Sequence, residues 1–150
     1  MAAHDDALPI ARWGGAALEQ VCRTGIPGYD PWSTAGPGHR FEVALARRAI
    51  AFFHDMLVFV EGERAGEPFD LEPWQAAIVG NLFGWVDGRT GLRRYREALV
   101  FVARKNGKTS LAAGLALYLL LCDGEPGGQV YSAAAEQSQA ALIFRHAMQM

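Results

Sequence analysis

Residues 98–122 read ALVFVARKNGKTSLAAGLALYLLLC, and this stretch decides the fold. Its first part, Ala98 to Ala103, is a short apolar run bounded by charged residues, which predicts a buried strand. Its last part, Thr109 to Cys122, carries almost no charge and predicts a core helix. The apolar run from Leu111 is well short of the roughly 20 residues that cross a bilayer. Strand, polar loop and helix follow one another directly, as in a parallel α/β layer.

The loop from Arg104 to Thr109 has the composition of a phosphate-binding loop. A helix N-terminus presents unpaired backbone N–H groups and partial positive charge to an anion. Gly107 lets the backbone approach a phosphate, Lys108 can reach the β- and γ-phosphates, and the Thr109 hydroxyl can ligate Mg²⁺. The full pattern GxxxxGK[ST] requires glycine where this chain has Val102, so a plain basic loop stays the alternative.

Positive charge is concentrated around this loop. Residues 89–108 contain seven of the fourteen Lys and Arg residues and one acid, Glu97, and both lysines of the chain, Lys105 and Lys108, lie in the loop. Such a segment favours a surface for nucleotide or DNA phosphates. A solvated connector with several arginines is the alternative for Arg89 to Arg96.

Upstream, the sequence FDLEPWQ (69–75) marks the start of another helix, predicted from Trp74 to about Phe83. Pro73 suits a first helical turn, where its missing N–H costs nothing. The Gln75 carboxamide offers both a donor and an acceptor, which is what the amino edge of adenine requires. A tryptophan that only packs and a solvated glutamine are the alternative.

The rest of the chain completes an α/β pattern. Apolar spacing predicts a five-turn helix from Phe41 to Gly62, including Val58 to Glu61. A second strand is expected at Gln129 to Ala133. A last helix is expected at Glu136 to Met150, with five inward residues: Ala140, Ile143, Phe144, Ala147 and Met148. The glycine- and proline-rich segment 25–38 is predicted to be a loop.

Composition excludes several classes of protein. With 51% apolar and 20% charged residues the chain can form a core, so it is neither disordered nor coiled coil. A net charge of −2 excludes a globally basic nucleic-acid binder. Cys22 and Cys122 lie far apart, which excludes a zinc ribbon and favours a reducing compartment. The scattered histidines predict no metal–histidine site. Residues 1–15, MAAHDDALPIARWGG, contain no apolar core of the length that a signal peptide needs.

These motifs together resemble the N-terminal ATPase region of the large terminase subunit of tailed bacteriophages. The resemblance rests on four stretches of the sequence: GEPFDLEPWQ (66–75), FGW (83–85), GLRRYREALVFVARKNGKTS (91–110) and QVYSAAAEQSQAALIF (129–144). It implies an α/β P-loop NTPase of the additional-strand type, with an incomplete parallel sheet flanked by helices and an N-terminal helical segment before it. Residues 1–40 would be an N-terminal arm with the Gly/Pro-rich loop, and residues 41–150 the first part of the ATPase domain.

The resemblance also implies roles for individual residues. It makes Gln75, beside Trp74, the adenine reader, and it accepts Val102 in a deviant Walker A loop. ATP with Mg²⁺ would be the cofactor, Lys108 and Arg104 would act on the transferring phosphate, and Thr109 would hold the metal. The implied nucleotide contacts are Trp74, Gln75, Arg104, Lys105, Asn106, Gly107, Lys108, Thr109 and Ser110.

For the whole protein, the resemblance implies a motor that packages double-stranded viral DNA. Its implied partners are the portal protein and the small terminase subunit, in a homo-oligomeric ring in the host cytoplasm and transiently at the procapsid portal, without a membrane. We expect the chain to lack the Walker B strand and the nuclease domain, and therefore to be a fragment, inactive and marginally folded by itself. A non-catalytic interaction module and another, helicase-like P-loop motor are the alternatives.

Overall fold

The structure is a computed structural model that describes residues 13–150. These residues form six helices and two short strands. The elements in chain order are α1 (Gly15–Thr24), α2 (Pro31–Thr34), β1 (His39–Phe41), α3 (Val43–Met56), α4 (Pro73–Gly84), β2 (Trp85–Asp87), α5 (Lys108–Leu121) and α6 (Gln137–Ala147). They divide into two compact units, the first containing residues 13–54 and 70–98, and the second containing residues 55–69 and 99–150.

The core of the first unit lies where α1 packs against α4. Gly80 of α4 makes this approach possible, because a Cβ there would lie only 2.5 Å from the Cys22 sulfur of α1. Phe53 of α3 and Leu18 of α1 are fully buried in this unit. The predicted α4 is confirmed, with Pro73 in its first turn and its end at Gly84.

The two strands of the first unit pair with each other in antiparallel register. The pairs are His39 with Asp87, Arg40 with Val86, and Phe41 with Trp85. The chain then turns back beside β2, where Arg94 donates its backbone N–H to the Trp85 carbonyl at 2.9 Å. β1 lies where the predicted N-terminal arm meets the predicted helix from Phe41, and β2 follows the predicted end of α4, where the sequence analysis predicts no strand.

An aromatic cluster joins α2 to this sheet. The Trp32 ring lies 4.8 Å from that of Phe41 and 4.9 Å from that of Trp85. Arg94 lies over the Trp85 ring and donates to the carbonyls of Pro31 at 3.2 Å and Thr34 at 2.6 Å. Arg94 therefore holds α2 in place and is not a solvated arginine of the connector.

In the second unit, α5 packs against α6, and residues 57–69 form a hairpin-like segment. Phe59 donates its N–H to the Glu67 carbonyl and Phe69 donates to the Leu57 carbonyl, each at 2.9 Å. The predicted helix over Val58 to Glu61 is therefore wrong, and α3 ends at Met56. The apolar period continues beyond Met56, but pairing across the hairpin provides the backbone groups with other partners.

Helix α5 occurs within one residue of its predicted bounds, and α6 occupies the middle of its predicted range. Two of the residues predicted to face inward on α6 are instead exposed, Phe144 at 65% and Met148 at 70%. A helix with one neighbour buries only a narrow stripe, and α6 contains no fully buried residue.

Neither predicted strand of the parallel sheet forms within residues 13–150. Residues 98–103 and 129–133 have no ladder partner there, and Leu99 and Phe101 are 83% and 87% exposed. Strands exist only as pairs, since their N–H and C=O groups need a neighbouring strand. The parallel sheet therefore stays a prediction, and the sheet that forms is antiparallel and lies in the other unit.

Candidate nucleotide-binding site

The candidate site is the loop that leads into α5. Gly107 is the residue before the helix and has a left-handed backbone, with φ 67° and ψ 18°. Its carbonyl accepts the first bond of the helix, from the N–H of Leu111 at 2.9 Å. No side chain caps this helix end, so the N–H groups of Lys108, Thr109 and Ser110 remain available as donors.

A second left-handed residue precedes Gly107 by two positions. Lys105 has φ 67°, and it is the one non-glycine residue with positive φ in the described chain. Such a backbone is unfavourable for any residue that has a Cβ atom, and in proteins it marks turns and functional loops. Lys105 and Gly107 together fold the loop tightly over the helix end.

The Lys108 ammonium group folds back over the loop. Its Nζ donates to the Val102 carbonyl at 2.6 Å and to the Ala103 carbonyl at 3.2 Å. The Asn106 side chain donates to the same Ala103 carbonyl at 3.3 Å. Val102 therefore contacts Lys108 through its backbone carbonyl, which any residue would supply. A valine in place of the glycine of the common pattern leaves this contact intact.

The remaining loop residues differ in exposure. Arg104, Lys105 and Lys108 are exposed, whereas Thr109 and Ser110 are half-buried. The structure therefore brings residues 104–110 together, with three cationic groups at the surface and two hydroxyls closer to the helix. Cationic side chains and backbone N–H groups bind phosphate, and a hydroxyl oxygen can ligate a hard divalent cation.

Gln75 lies in the other unit and has a local role. It is 4% exposed, and its Oε1 accepts the backbone N–H of Glu72 at 2.9 Å, which caps the start of α4. The carboxamide oxygen is thus already used within α4, and the side chain is almost fully buried. Trp74 beside it is half-buried.

The sequence interpretation treated Arg89 to Arg96 as a charged segment or a connector, and it did not identify the hydrogen-bonded turn between β2 and Arg93. The Asp87 carboxylate accepts the N–H of Thr90 at 2.7 Å and the N–H of Arg89 at 3.0 Å. The hydrogen bond from Thr90 is the main cause of an Asp87 pKa below the usual value of 3.8. The dipeptide Asp87-Gly88 is a recognised hairpin signal and could have located this turn.

The described residues contain neither a cluster suited to a metal ion nor a helix suited to a membrane. In the range 13–150, His, Cys, Asp and Glu do not form a group of three that could hold a metal ion. The helices of this range are all too short or too polar to cross a membrane.

Comparison with known proteins gives the family. A sequence profile described as "Terminase large subunit, ATPase domain" matches residues 73–150, just over half of the chain. The large terminase subunit of Enterobacteria phage HK97 is 34% identical over 104 residues, which cover 69% of this chain and 19% of that protein. This chain thus spans about a fifth of the length of that relative, and no solved structure matches it significantly. The chain belongs to the family of terminase large-subunit ATPase domains.

Proposed function

We propose that this chain is the ATP-binding part of a phage DNA-packaging motor, with residues 104–110 as the phosphate-binding loop. The observation that supports this most directly is the left-handed Gly107 at the uncapped start of α5, with the Lys108 ammonium group over the loop. Family membership supports ATP as the nucleotide. The double-stranded DNA, portal, small-subunit and ring assignments belong to the same proposal for the whole protein.

In this proposal each loop residue has a separate task. The N–H groups of Lys108 to Ser110 bind phosphate oxygens, and the Lys108 ammonium group exchanges its carbonyl partners for the β- and γ-phosphates. Arg104 lies at the exposed rim, where it stabilises charge on the γ-phosphate. Mg²⁺, when bound with ATP, neutralises phosphate charge, and the half-buried Thr109 hydroxyl fits one of its oxygen sites.

The proposal is tested through the two lysines. An ATP derivative with an acyl phosphate transfers its acyl group to a lysine near the phosphates, and mass spectrometry can then distinguish Lys105 from Lys108. We expect labelling of Lys108 that excess ATP suppresses. In calorimetry, Lys108→Ala is expected to weaken ATP binding about tenfold or more, because a charge-assisted phosphate contact is lost.

Lys105→Ala is the matched control, because it removes the same charge from the same loop. We expect it to change the ATP affinity by less than about threefold. Equal loss of ATP affinity in the two variants would show that the loop binds ATP only as a basic surface and not as a phosphate-binding loop. Labelling that ATP does not suppress would have the same meaning.

The adenine role of Gln75 is a separate part of the proposal. Gln75→Glu keeps an oxygen that can accept the Glu72 N–H but removes the NH₂ donor, whereas Gln75→Ala removes both. If Gln75 reads adenine, Gln75→Glu loses the preference for ATP over GTP while α4 remains stable. If only Gln75→Ala has an effect, on stability, then the residue is a helix cap.

A non-catalytic interaction module is the second candidate function, and one observation favours it. The run at residues 99–101 exposes Leu99 and Phe101 almost fully, as a surface that binds another protein does. Under this alternative, binding to a packaging partner would not depend on nucleotide. The Lys108→Ala variant would then bind that partner as well as the native chain does.

A further inference from the structure

The turn at Asp87–Leu92 is an exposed, charged feature of the first unit. It joins β2 to the segment that pairs beside it, with Asp87 donating its N–H to the Leu92 carbonyl at 2.9 Å. Arg89 is at its tip and is exposed. Within the described residues no carboxylate forms an ion pair with the Arg89 guanidinium.

Internal hydrogen bonds hold this turn in one conformation. The Asp87 carboxylate accepts from the N–H of Arg89, and from both the N–H and the hydroxyl of Thr90. Gly91 completes the reversal with φ 71°. The Asp87 carboxylate is thus occupied by donors within the turn, and the turn that carries the exposed Arg89 is held by these bonds.

Arg40 of β1 adds a second cation beside the turn. It lies opposite Val86 in the sheet and donates from Nη1 to the Gly88 carbonyl at 3.0 Å. Its Nε also pairs with Glu42, so part of its charge is compensated locally. Arg89 is therefore the leading cation of this surface, and Arg40 supports it.

We propose that the Asp87–Leu92 turn contacts the phosphodiester backbone of double-stranded DNA, with Arg89 as the residue that binds phosphate. A guanidinium group fits phosphate oxygens in a bidentate manner, and a rigid turn loses little conformational entropy when it binds. This inference rests on the DNA-packaging function proposed above. It assigns DNA contact to a surface in a different unit from the ATP loop.

The test measures binding of the full 150-residue chain to a short, fluorescently labelled DNA duplex at a series of salt concentrations. Each phosphate contact contributes about one unit to the slope of log affinity against log salt. We expect Arg89→Ala to lower this slope by about one and to weaken binding roughly 3- to 10-fold at low salt. Arg89→Lys should keep the salt slope, because the charge remains, but lose part of the affinity, because an ammonium group cannot bind phosphate in a bidentate manner.

Arg64→Ala is the matched control. Arg64 is an exposed arginine of the second unit that pairs with Glu67 at 2.8 Å, so its removal changes the net charge equally. We expect it to change DNA affinity less than about twofold. Because the turn uses only the backbone of residue 89, Arg89→Ala keeps the fold, and Arg89→Gln provides a second variant of similar length.

Two results would overturn the inference: native chain that does not bind the duplex, or Arg89 and Arg64 variants with the same affinity and salt slope. ATP-suppressible labelling of Lys108 is measured in the same samples. If that labelling persists while DNA binding is absent, then the DNA contact is wrong and the nucleotide site stands. If the labelling is also absent, then the proposed nucleotide site, and with it the proposed function, is wrong as well.

Discussion

The two compact units differ in how completely they bury their apolar residues. In the first, Phe53 and Leu18 are fully buried, the strands are paired, and an aromatic cluster closes the sheet. In the second, Leu99, Phe101 and Tyr131 are each more than 80% exposed. The candidate nucleotide loop belongs to this second unit. The better-packed first unit therefore provides most of the stability, whereas the candidate phosphate-binding residues lie in the second unit.

The two cysteines provide the sharpest test of this contrast. Burial raises the pKa of the Cys22 thiol to about 12, and Cys122 in the second unit is half-exposed. At pH 8 a buried thiol with that pKa is almost wholly protonated, so Cys22 should react with a maleimide at least about 100-fold more slowly than the more accessible Cys122 does. Mass spectrometry of the labelled chain measures both sites at once, and similar rates would contradict a closed first core.

Two phenylalanines compare the units by stability. Phe53 is 0% exposed, so Phe53→Ala should lower the free energy of unfolding of the first unit by about 3–5 kcal/mol. Phe101→Ala should change stability by less than about 0.5 kcal/mol and reduce aggregation, because that ring faces solvent. All four tryptophans lie in the first unit, so their fluorescence reports the unfolding of that unit in denaturant. Circular dichroism reports the unfolding of both units. A large loss for Phe101→Ala would show that its segment is paired in solution.

Two helical glycines test how closely α1 and α4 approach. A methyl group at Gly80 would meet the Cys22 sulfur at 2.5 Å, and Gly80→Ala should therefore cost about 1–3 kcal/mol. Gly15→Ala is the control, since a Cβ there would have its nearest neighbour at 3.9 Å. Because alanine favours a helix more than glycine does, this variant should be more stable than the native chain, by up to about 1 kcal/mol. Denaturant midpoints measure both, and equal midpoints would mean that the helices separate easily.

The smallest expected effect concerns pH. Burial, together with a 2.5 Å contact between its hydroxyl and that of Tyr29, raises the pKa of Tyr95 to about 12 from 10.0. A raised pKa means that the folded state holds this proton longer than the unfolded state does. Its contribution is complete below pH 10 and is lost as pH rises towards 12. Thermal melts across this range should show the loss in the native chain and less of it in Tyr29→Phe.

Helix positions were largely predictable from the sequence, and the pairing of strands was not. Pro73 and Gly107 mark the starts of α4 and α5, and both helices occur where these residues place them. β1 and β2 contain three residues each, too few to show a period of two. The end of α3 could not be predicted, because the hairpin that replaces its last turn depends on residues up to Phe69.

For the candidate site, residue identities were predictable and their contacts were not. The loop, its glycine and its lysines follow from the sequence pattern alone. The bond from Lys108 to the Val102 carbonyl involves a backbone atom, which no pattern of side chains records. The cap that Gln75 provides for α4 depends on local geometry, and the sequence alone could not separate it from a role in reading adenine.

The uncapped start of α5 has a consequence for how this sequence can evolve. A serine or aspartate cap requires an extended backbone at the residue before the helix, whereas Gly107 is left-handed, a conformation that favours glycine. A capping residue at this position would therefore require the loop to change its backbone conformation, and its side chain would then occupy donors that an anion needs. A drift of this position to a capping residue in a related sequence would therefore be the mark of a lineage that had stopped using the loop.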